Sequence, residues 1–253
     1  MSLDSAPPLL TRARDVWRQL AAEPVEFGAA GEVAVVASPG SAFCPPGWAG
    51  VVVLGGAALV TAPDEETAAR IRTAVAALSA ERLTDPAAVR AAVRAVLPVS
   101  EFLGPAALAY VAADGFRPAV SAGPRVTELD AAHPDVAALA EAAGTGDAGE
   151  AALDEIGSPA FVVRSGERVV AAAGYRRWPG AAAHLSVLTA PGSRGLGLAR
   201  TTASAAVRHA LAHDLLPQWR ARVPASRAVA AALGFRELGH QLAFRGDRPP
   251  TAG

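Results

Sequence analysis

The sequence predicts an α/β fold, a mixed sheet flanked by helices, arranged as two domains over residues 1–123 and 124–253. Three observations carry this reading. Short β-prone runs interleave with segments of helical period along the whole chain. In the second half a strand runs into a glycine-rich turn that opens a long helix. Between the halves, Phe116 to Pro124 holds Arg117-Pro118 and Gly123-Pro124 without periodicity, which marks the boundary.

The elements follow in order. Asp15 to Ala22 reads as a short helix carrying Trp17 and Leu20, and Val33 to Ala37 as a strand. Val51 to Leu54, Gly55-Gly56 and Ala57 to Val60 form a hairpin signal: two β-prone runs joined by two residues that accept positive φ. Asp64 caps a helix whose first turn holds Glu65 and Glu66, acids favoured by the helix dipole, and Ile71, Val75 and Leu78 give it a buried stripe. Asp85-Pro86 opens a further helix that Pro98 stops.

In the second half, Val136 to Ala143 reads as a weak helix, Gly144 to Gly149 as a loop and Ala151 to Ile156 as helical. Phe161 to Arg164 and Val169 to Tyr175 form a hairpin around Ser165-Gly166-Glu167. Ala182 to Thr189 is a strand, Pro191 to Gly195 a tight loop, and Gly197 to His213 a long helix. Gln218 to Val223 is a strand, Ser226 to Leu233 a helix ended by Gly234, and Leu238 to Arg245 the last strand. No internal repeat is visible.

Composition excludes several classes. The 253 residues are 51% hydrophobic, and 23 basic residues oppose 24 acidic ones. A disordered chain would be poorer in apolar residues, and a general nucleic-acid binder needs a basic excess. All the basic residues are Arg, with no Lys or Asn, which reads as a codon-composition effect and weakens any argument from Arg content alone. A single cysteine, Cys44, excludes an internal disulfide and a cysteine-cage zinc site. Met1 to Arg14 lacks an apolar signal core, and the longest apolar run, about Ala49 to Ala62, is too short to span a membrane. The expected compartment is therefore the cytoplasm.

The chemistry lies in Thr189-Ala190-Pro191-Gly192-Ser193-Arg194-Gly195-Leu196-Gly197-Leu198-Ala199. A strand, a glycine-rich turn and a helix start present backbone N–H groups where the dipole favours an anion. Glycines admit a phosphate to the backbone, and Arg194 adds a charged contact. No Gly-Lys-Ser/Thr follows, so this is no P-loop. Position 200 is Arg, so it is no dinucleotide fingerprint.

The spacing Arg194-x-x-Gly197-x-Ala199 resembles the acyl-CoA pyrophosphate loop of the GNAT superfamily of N-acyltransferases. Ser226 to Phe235, ending Leu233-Gly234-Phe235, is similar to that family's closing helix, and the order of elements from Val126 to Arg245 fits. The resemblance covers roughly the second half. It implies a GNAT-like fold for 124–253, preceded by a smaller α/β domain, with a sheet splayed between its central strands. It implies coenzyme A in the opening, its pyrophosphate on the amides of Arg194, Gly195, Leu196, Gly197, Leu198 and Ala199, and its pantetheine along the main chain near Leu188 and Thr189. Ser226 matches a position where some members place a serine near the cofactor.

The implied activity is N-acetyl transfer from acetyl-CoA to an amine by direct attack on the thioester, with no metal. The acceptor would be a small-molecule or peptide amine. Nucleic acid and membrane are not expected partners, and a homodimer stays open. Two departures stand out. The position where many members carry the tyrosine that protonates the thiolate is Ala230, and the asparagine often found before the closing helix is absent from Val223-Pro224-Ala225-Ser226. The acid is thus unassigned. A non-catalytic acyl-CoA-binding or regulatory module is the alternative, and a nucleotide-binding domain using the same loop a further one.

His184 is the candidate base, because other members place a Glu or His on that strand. The competing reading is a strand-edge histidine without a catalytic role. His209 and His213 share a helix face but lack a third ligand, so a solvent-facing pair is the better account. Cys44 has no identifiable base nearby. Trp17, Trp48, Trp178 and Trp219 read as core or contact residues, with Trp178 the one placed to line a cleft. The first half contains no matching loop. It either shapes the acceptor site or is a degenerate second copy that does not bind the cofactor in the same way.

Overall fold

The computed structural model describes residues 8–119 and 124–246. Along the chain run α1 (Leu9–Leu20), β1 (Val33–Ala37), β2 (Ala49–Leu54), β3 (Ala57–Ala62), α2 (Glu65–Val75), α3 (Pro86–Val93) and β4 (Val99–Tyr110). There follow β5 (Thr127–Leu129), α4 (Pro134–Ala143), α5 (Thr145–Ala151), β6 (Ala160–Ser165), β7 (Arg168–Trp178) and β8 (Ala182–Thr189). The chain closes with α6 (Leu198–Ala212), β9 (Leu216–Ala221), α7 (Pro224–Ala232) and β10 (Arg236–Gly246). The expected α/β class with a mixed sheet is what forms.

These elements group into two compact units of nearly equal length: 1–108 with 237–253, and 109–236. The sequence instead predicts a smaller first domain ending at residue 123. Residues 120–123 lie outside the described ones, and the chain passes between units at 108/109, inside β4, and at 236/237, inside β10. The physical reason is long-range. Leu242 and Phe244 of β10 are buried in the first unit's core, beside Val51, Val53 and Val60. A return of this kind leaves no local signal.

In the first unit the strand order is β1-β3-β2-β10-β4. The β2–β3 hairpin is antiparallel, with Leu54 opposite Ala57 and positive φ at Gly55 (58°) and Gly56 (78°). Every residue of β2 and β3 is buried, because elements cover both faces of these continuous apolar runs. On one face lie Ala68, Ile71 and Val75 of α2 with Val89 and Val93 of α3. Towards the other lies α1, where Trp17 meets Phe43 edge-on at 5.1 Å. Asp64 caps α2 as expected, its Oδ1 accepting from Thr67 N–H at 2.7 Å, and Asp85 caps α3 by accepting from Ala87 N–H at 3.0 Å.

In the second unit the order is β9-β8-β7-β6-β5. The strands β5 to β8 form an antiparallel meander, and β8 and β9 are parallel. One face takes α6, whose Ala203, Ala206, Val207 and Ala210 pack among Ala173, Tyr175, Leu185 and Trp219. The other takes α4 and the turn after α5, with Val136, Leu139, Leu153 and Ile156 against Val162, Ala172 and Leu188. Side chains alternate along a strand, so Ala183 and Leu185 face α6, while His184, Ser186 and Leu188 face the α4–α5 side. Among the described residues no helix is long and apolar enough to cross a membrane.

Candidate functional site

Strands β8 and β9 pair over only three rungs: Ala182–Leu216, Ala183–Pro217 and His184–Gln218. Beyond that rung β8 continues to Thr189 and β9 to Ala221 without pairing with each other. The sheet therefore parts immediately after His184, and the β8 main chain from Leu185 to Thr189 loses its β9 partner. Leu188 and Thr189 lie on this freed stretch. The Leu188 side chain is buried in the core, so only its main chain faces the gap.

His184 stands on the last paired rung. Across β7 its neighbour is Arg176, and across β9 it is Gln218. Trp178 stacks flat on the imidazole at 4.1 Å with an interplanar angle of 9°. Gln218 Oε1 lies at hydrogen-bond distance from His184 Nδ1. An amide oxygen only accepts, so Nδ1 carries the hydrogen and Nε2 keeps its lone pair. Burial, then the Arg220 charge, lower the imidazole pKa to about 3, against the upward pull of the Gln218 bond. His184 is thus neutral across the physiological range and a weak proton acceptor there.

At its far end β8 enters a short 3-10 turn, Pro191–Ser193, and then the glycine loop. Gly195 and Gly197 have φ of 78° and 76°, which a side chain with a Cβ resists. Gly197 is the N-cap of α6, and no side chain caps the helix. A Cβ at Gly192, Gly195 or Gly197 would meet nothing within 4 Å, so the loop borders open space. Leu198 anchors the helix start among Val163 and Ala171, while Leu196 stands 70% exposed. The N–H groups of Leu198 and Ala199 belong to the helix's first turn, which has no intrahelical acceptor.

Arg194 donates through Nε to the Thr189 carbonyl at 3.5 Å and pairs with Asp147 through Nη2. Asp147 belongs to α5, in the stretch whose glycines predict a loop at 144–149. A short helix forms here, tied to distant parts of the chain by ion pairs: Asp147 with Arg194, and Glu150 with Arg222 through both guanidinium nitrogens Nε and Nη2. Arg176 pairs with Glu155 at 2.5 Å in the turn that follows. Ser226 lies in the first turn of α7, where its Oγ accepts the Trp219 indole N–H at 2.9 Å. Ala230 is buried in the core of α7 and β9.

Sequence reasoning missed Gln218, Arg220, Asp147 and Glu150. The first two lie on a strand that reads as ordinary, and only its register beside His184 gives them meaning. The other candidates are placed elsewhere. His209 accepts or donates at Nδ1 with Tyr175 Oη (3.0 Å), and its ring lies 4.3 Å from that of His213, on α6. Among the described residues no three metal-ligating side chains converge. Burial pushes the Cys44 thiol up to about 12, so it is not a thiolate at neutral pH.

Among the described residues, four buried side-chain polar atoms lack a hydrogen-bond partner. Three of them, Thr189 Oγ1, Arg200 Nε and Gln218 Nε2, belong to the end of β8, the start of α6 and the last paired rung. Such orphans are costly unless a ligand or water satisfies them. A parted pair of parallel strands, an uncapped helix N-terminus and polar atoms awaiting partners fit an elongated ligand with an anionic diphosphate and an amide-bearing arm.

This combination is a mixed α/β sheet with a parted parallel strand pair and an uncapped helix start at one end of the parting. A family model for GNAT acetyltransferases matches residues 158–242. The matched segment, residues 158–242, is thus a GNAT superfamily domain. Comparison with curated proteins yields no match. Among solved structures, a GNAT-family acetyltransferase from Novosphingobium aromaticivorans is 24% identical over 58% of this chain and 65% of its own, with a TM-score of 0.45. A GCN5-related N-acetyltransferase from Kribbella flavida is 17% identical over 66% of this chain and 65% of its own (TM-score 0.48). A tandem GNAT protein from the clavulanic acid biosynthesis pathway is 18% identical over 95% of this chain and 96% of its own (TM-score 0.44). The chain spans just under two thirds of the length of the first two.

Proposed function

We propose that this protein transfers an acetyl group from acetyl-CoA to an amine by direct attack on the thioester. The observation that carries the reading is the parting of β8 from β9 directly after the His184–Gln218 rung, continuous with an uncapped glycine-opened helix. In this reading the main chain at Leu188 and Thr189 pairs with the pantetheine arm as an added strand would. The amides of Arg194 to Ala199 receive the diphosphate, Arg194 adds charge, and Ser226 offers its hydroxyl hydrogen. Acetyl-CoA supplies the activated acyl group.

The residues act mainly by placement. As the amine nitrogen bonds to the acyl carbon, the C–S bond breaks, and the sulfur leaves with the proton the nitrogen sheds. His184 cannot hold a full proton at neutral pH, but its Nε2 lone pair can orient an amine N–H. Orientation of this kind supplies much of the rate of a bimolecular transfer. Because Ala230 offers no acid, water relays the proton from the nitrogen to the departing sulfur.

The test is calorimetric titration with acetyl-CoA and with ATP. Micromolar binding of acetyl-CoA alone is expected. Binding of ATP without acetyl-CoA would replace this reading with a nucleotide-binding one. The absent acid at Ala230 and the weak basicity of His184 favour a non-catalytic acyl-CoA-binding module as the second reading. Thiol release that rises with added amine separates the two.

A further inference from the structure

The gap between β8 and β9 has two ends, and they fix the direction of a bound acyl-CoA. The glycine loop and the start of α6 lie past Thr189, where β8 ends. A diphosphate held there sends its amide-bearing arm back along the freed main chain, from Thr189 through Leu188 towards Leu185. That stretch of β8 is about 13 Å long. The next rung is His184–Gln218, where the strands close. The thioester at the tip of the arm therefore arrives at that rung.

Two side chains share one hydrogen bond at this rung. Gln218 Oε1 accepts from His184 Nδ1. An amide that uses its oxygen in this way still carries two N–H donors on Nε2. Gln218 is fully buried, and among the described residues its Nε2 has no hydrogen-bond partner. A buried donor left unpaired costs about 1–3 kcal/mol, so a fold that keeps one calls for a reason. The proposed chemistry supplies it. As the amine bonds to the acyl carbon, negative charge builds on the thioester carbonyl oxygen, and it is released when the C–S bond breaks. Donors placed at that oxygen lower the barrier. Neither the His184 lone pair nor Ala230 can donate to it.

Resting on the acetyltransferase reading above, we propose that Gln218 is a catalytic residue that works at both ends of its amide: Nε2 donates to the thioester carbonyl oxygen, and Oε1 holds His184 in the tautomer that accepts from the amine. One side chain thus polarises the electrophile and aligns the group that orients the nucleophile. Gln218 itself neither gains nor loses a proton. The proton shed by the nitrogen still reaches the sulfur through water, and the charge on the carbonyl oxygen is carried by hydrogen bonding alone.

The experiment is isotope-edited infrared spectroscopy of acetyl-CoA labelled with carbon-13 at the thioester carbonyl, bound to the full chain without an amine. Two variants accompany the native protein. Gln218→Met loses both ends of the amide, whereas Gln218→Glu keeps an oxygen for His184 Nδ1–H but, once ionised, has no N–H. A hydrogen bond to a carbonyl oxygen lowers its stretching frequency, so the band should lie higher in both variants than in the native protein. Calorimetry should find the acetyl-CoA dissociation constant within about two-fold of native in each, because the diphosphate and the arm bind elsewhere. In thiol release with 1,4-diaminobutane, alanine and 4-aminobutyrate, kcat should fall about 100-fold or more in both variants. A carbonyl band at the same frequency in native protein and Gln218→Met would overturn the proposal and assign the oxygen to the β8 main chain. Turnover in Gln218→Glu within about three-fold of native would overturn it as well. The band of the native protein needs no variant to fold: a frequency equal to that of acetyl-CoA in an aprotic solvent means no donor and also sinks the idea. Failure of native protein to bind acetyl-CoA at all marks failure of the acetyltransferase reading instead.

Discussion

The His184 imidazole lies under Trp178 and beside two guanidinium groups, and each neighbour favours its neutral form. Its native pKa of about 3 lies below the usual 6.5. Between those values the unfolded chain binds a proton that the native chain refuses, so this residue's stabilisation is complete above pH 6.5 and is lost as pH falls towards 3. At about pH 4.5 the loss amounts to about 2–3 kcal/mol. Urea midpoints at neutral and acidic pH should therefore fall more in the native protein than in His184→Gln, and an equal fall in both would contradict the buried neutral ring. Asp147 offers a second test. It neutralises Arg194, so Asp147→Asn should tighten acetyl-CoA binding by up to about five-fold if Arg194 reaches the diphosphate. An unchanged dissociation constant would remove Arg194 from the anion site. At this scale the sequence marks His184 as a polar residue on an apolar strand, but Gln218 and Arg220 acquire their setting only through strand register.

The glycine loop and α6 were legible because their chemistry is local. Positive φ at the cap, absence of a capping side chain and the long helix after it all follow from neighbouring residues. Gly197→Val should cost about 1–3 kcal/mol of backbone strain. It should also abolish acetyl-CoA binding while the near-ultraviolet signal of Trp17, in the first unit, persists. Retained affinity in that variant would separate the loop from the ligand. Two elements escaped the sequence. The β4 strand contains Gly104-Pro105, a turn signal by local rules, yet its last five residues are buried and Val111, just after it, donates to the Pro217 carbonyl at 3.3 Å. The α5 helix has poor propensity and no buried residue, and its ion pairs to Arg194 and Arg222 come from distant parts of the chain. In both cases tertiary partners outweigh local preference.

On the scale of the molecule, the first unit is built from both ends of the described chain, and the second is one continuous segment. The sequence reads cores and most elements correctly but divides the chain in order, because hydrophobic period carries no information about which sheet a strand joins. A chain ended at Arg236 should lose Leu242 and Phe244 from the first unit's core and bare the β2 edge that pairs with β10. Aggregation in size-exclusion chromatography is the expected result, and a soluble truncated chain with an undiminished far-ultraviolet spectrum would contradict it. The same return of β10 orders events during synthesis. Domains commonly fold in the order in which they emerge from the ribosome. Here the segment made first cannot complete its sheet until every residue of the second unit has been translated. The second unit is free to close early, while the earlier-born strands β1 to β3 wait with an open edge, and that interval is when this chain has most need of a chaperone.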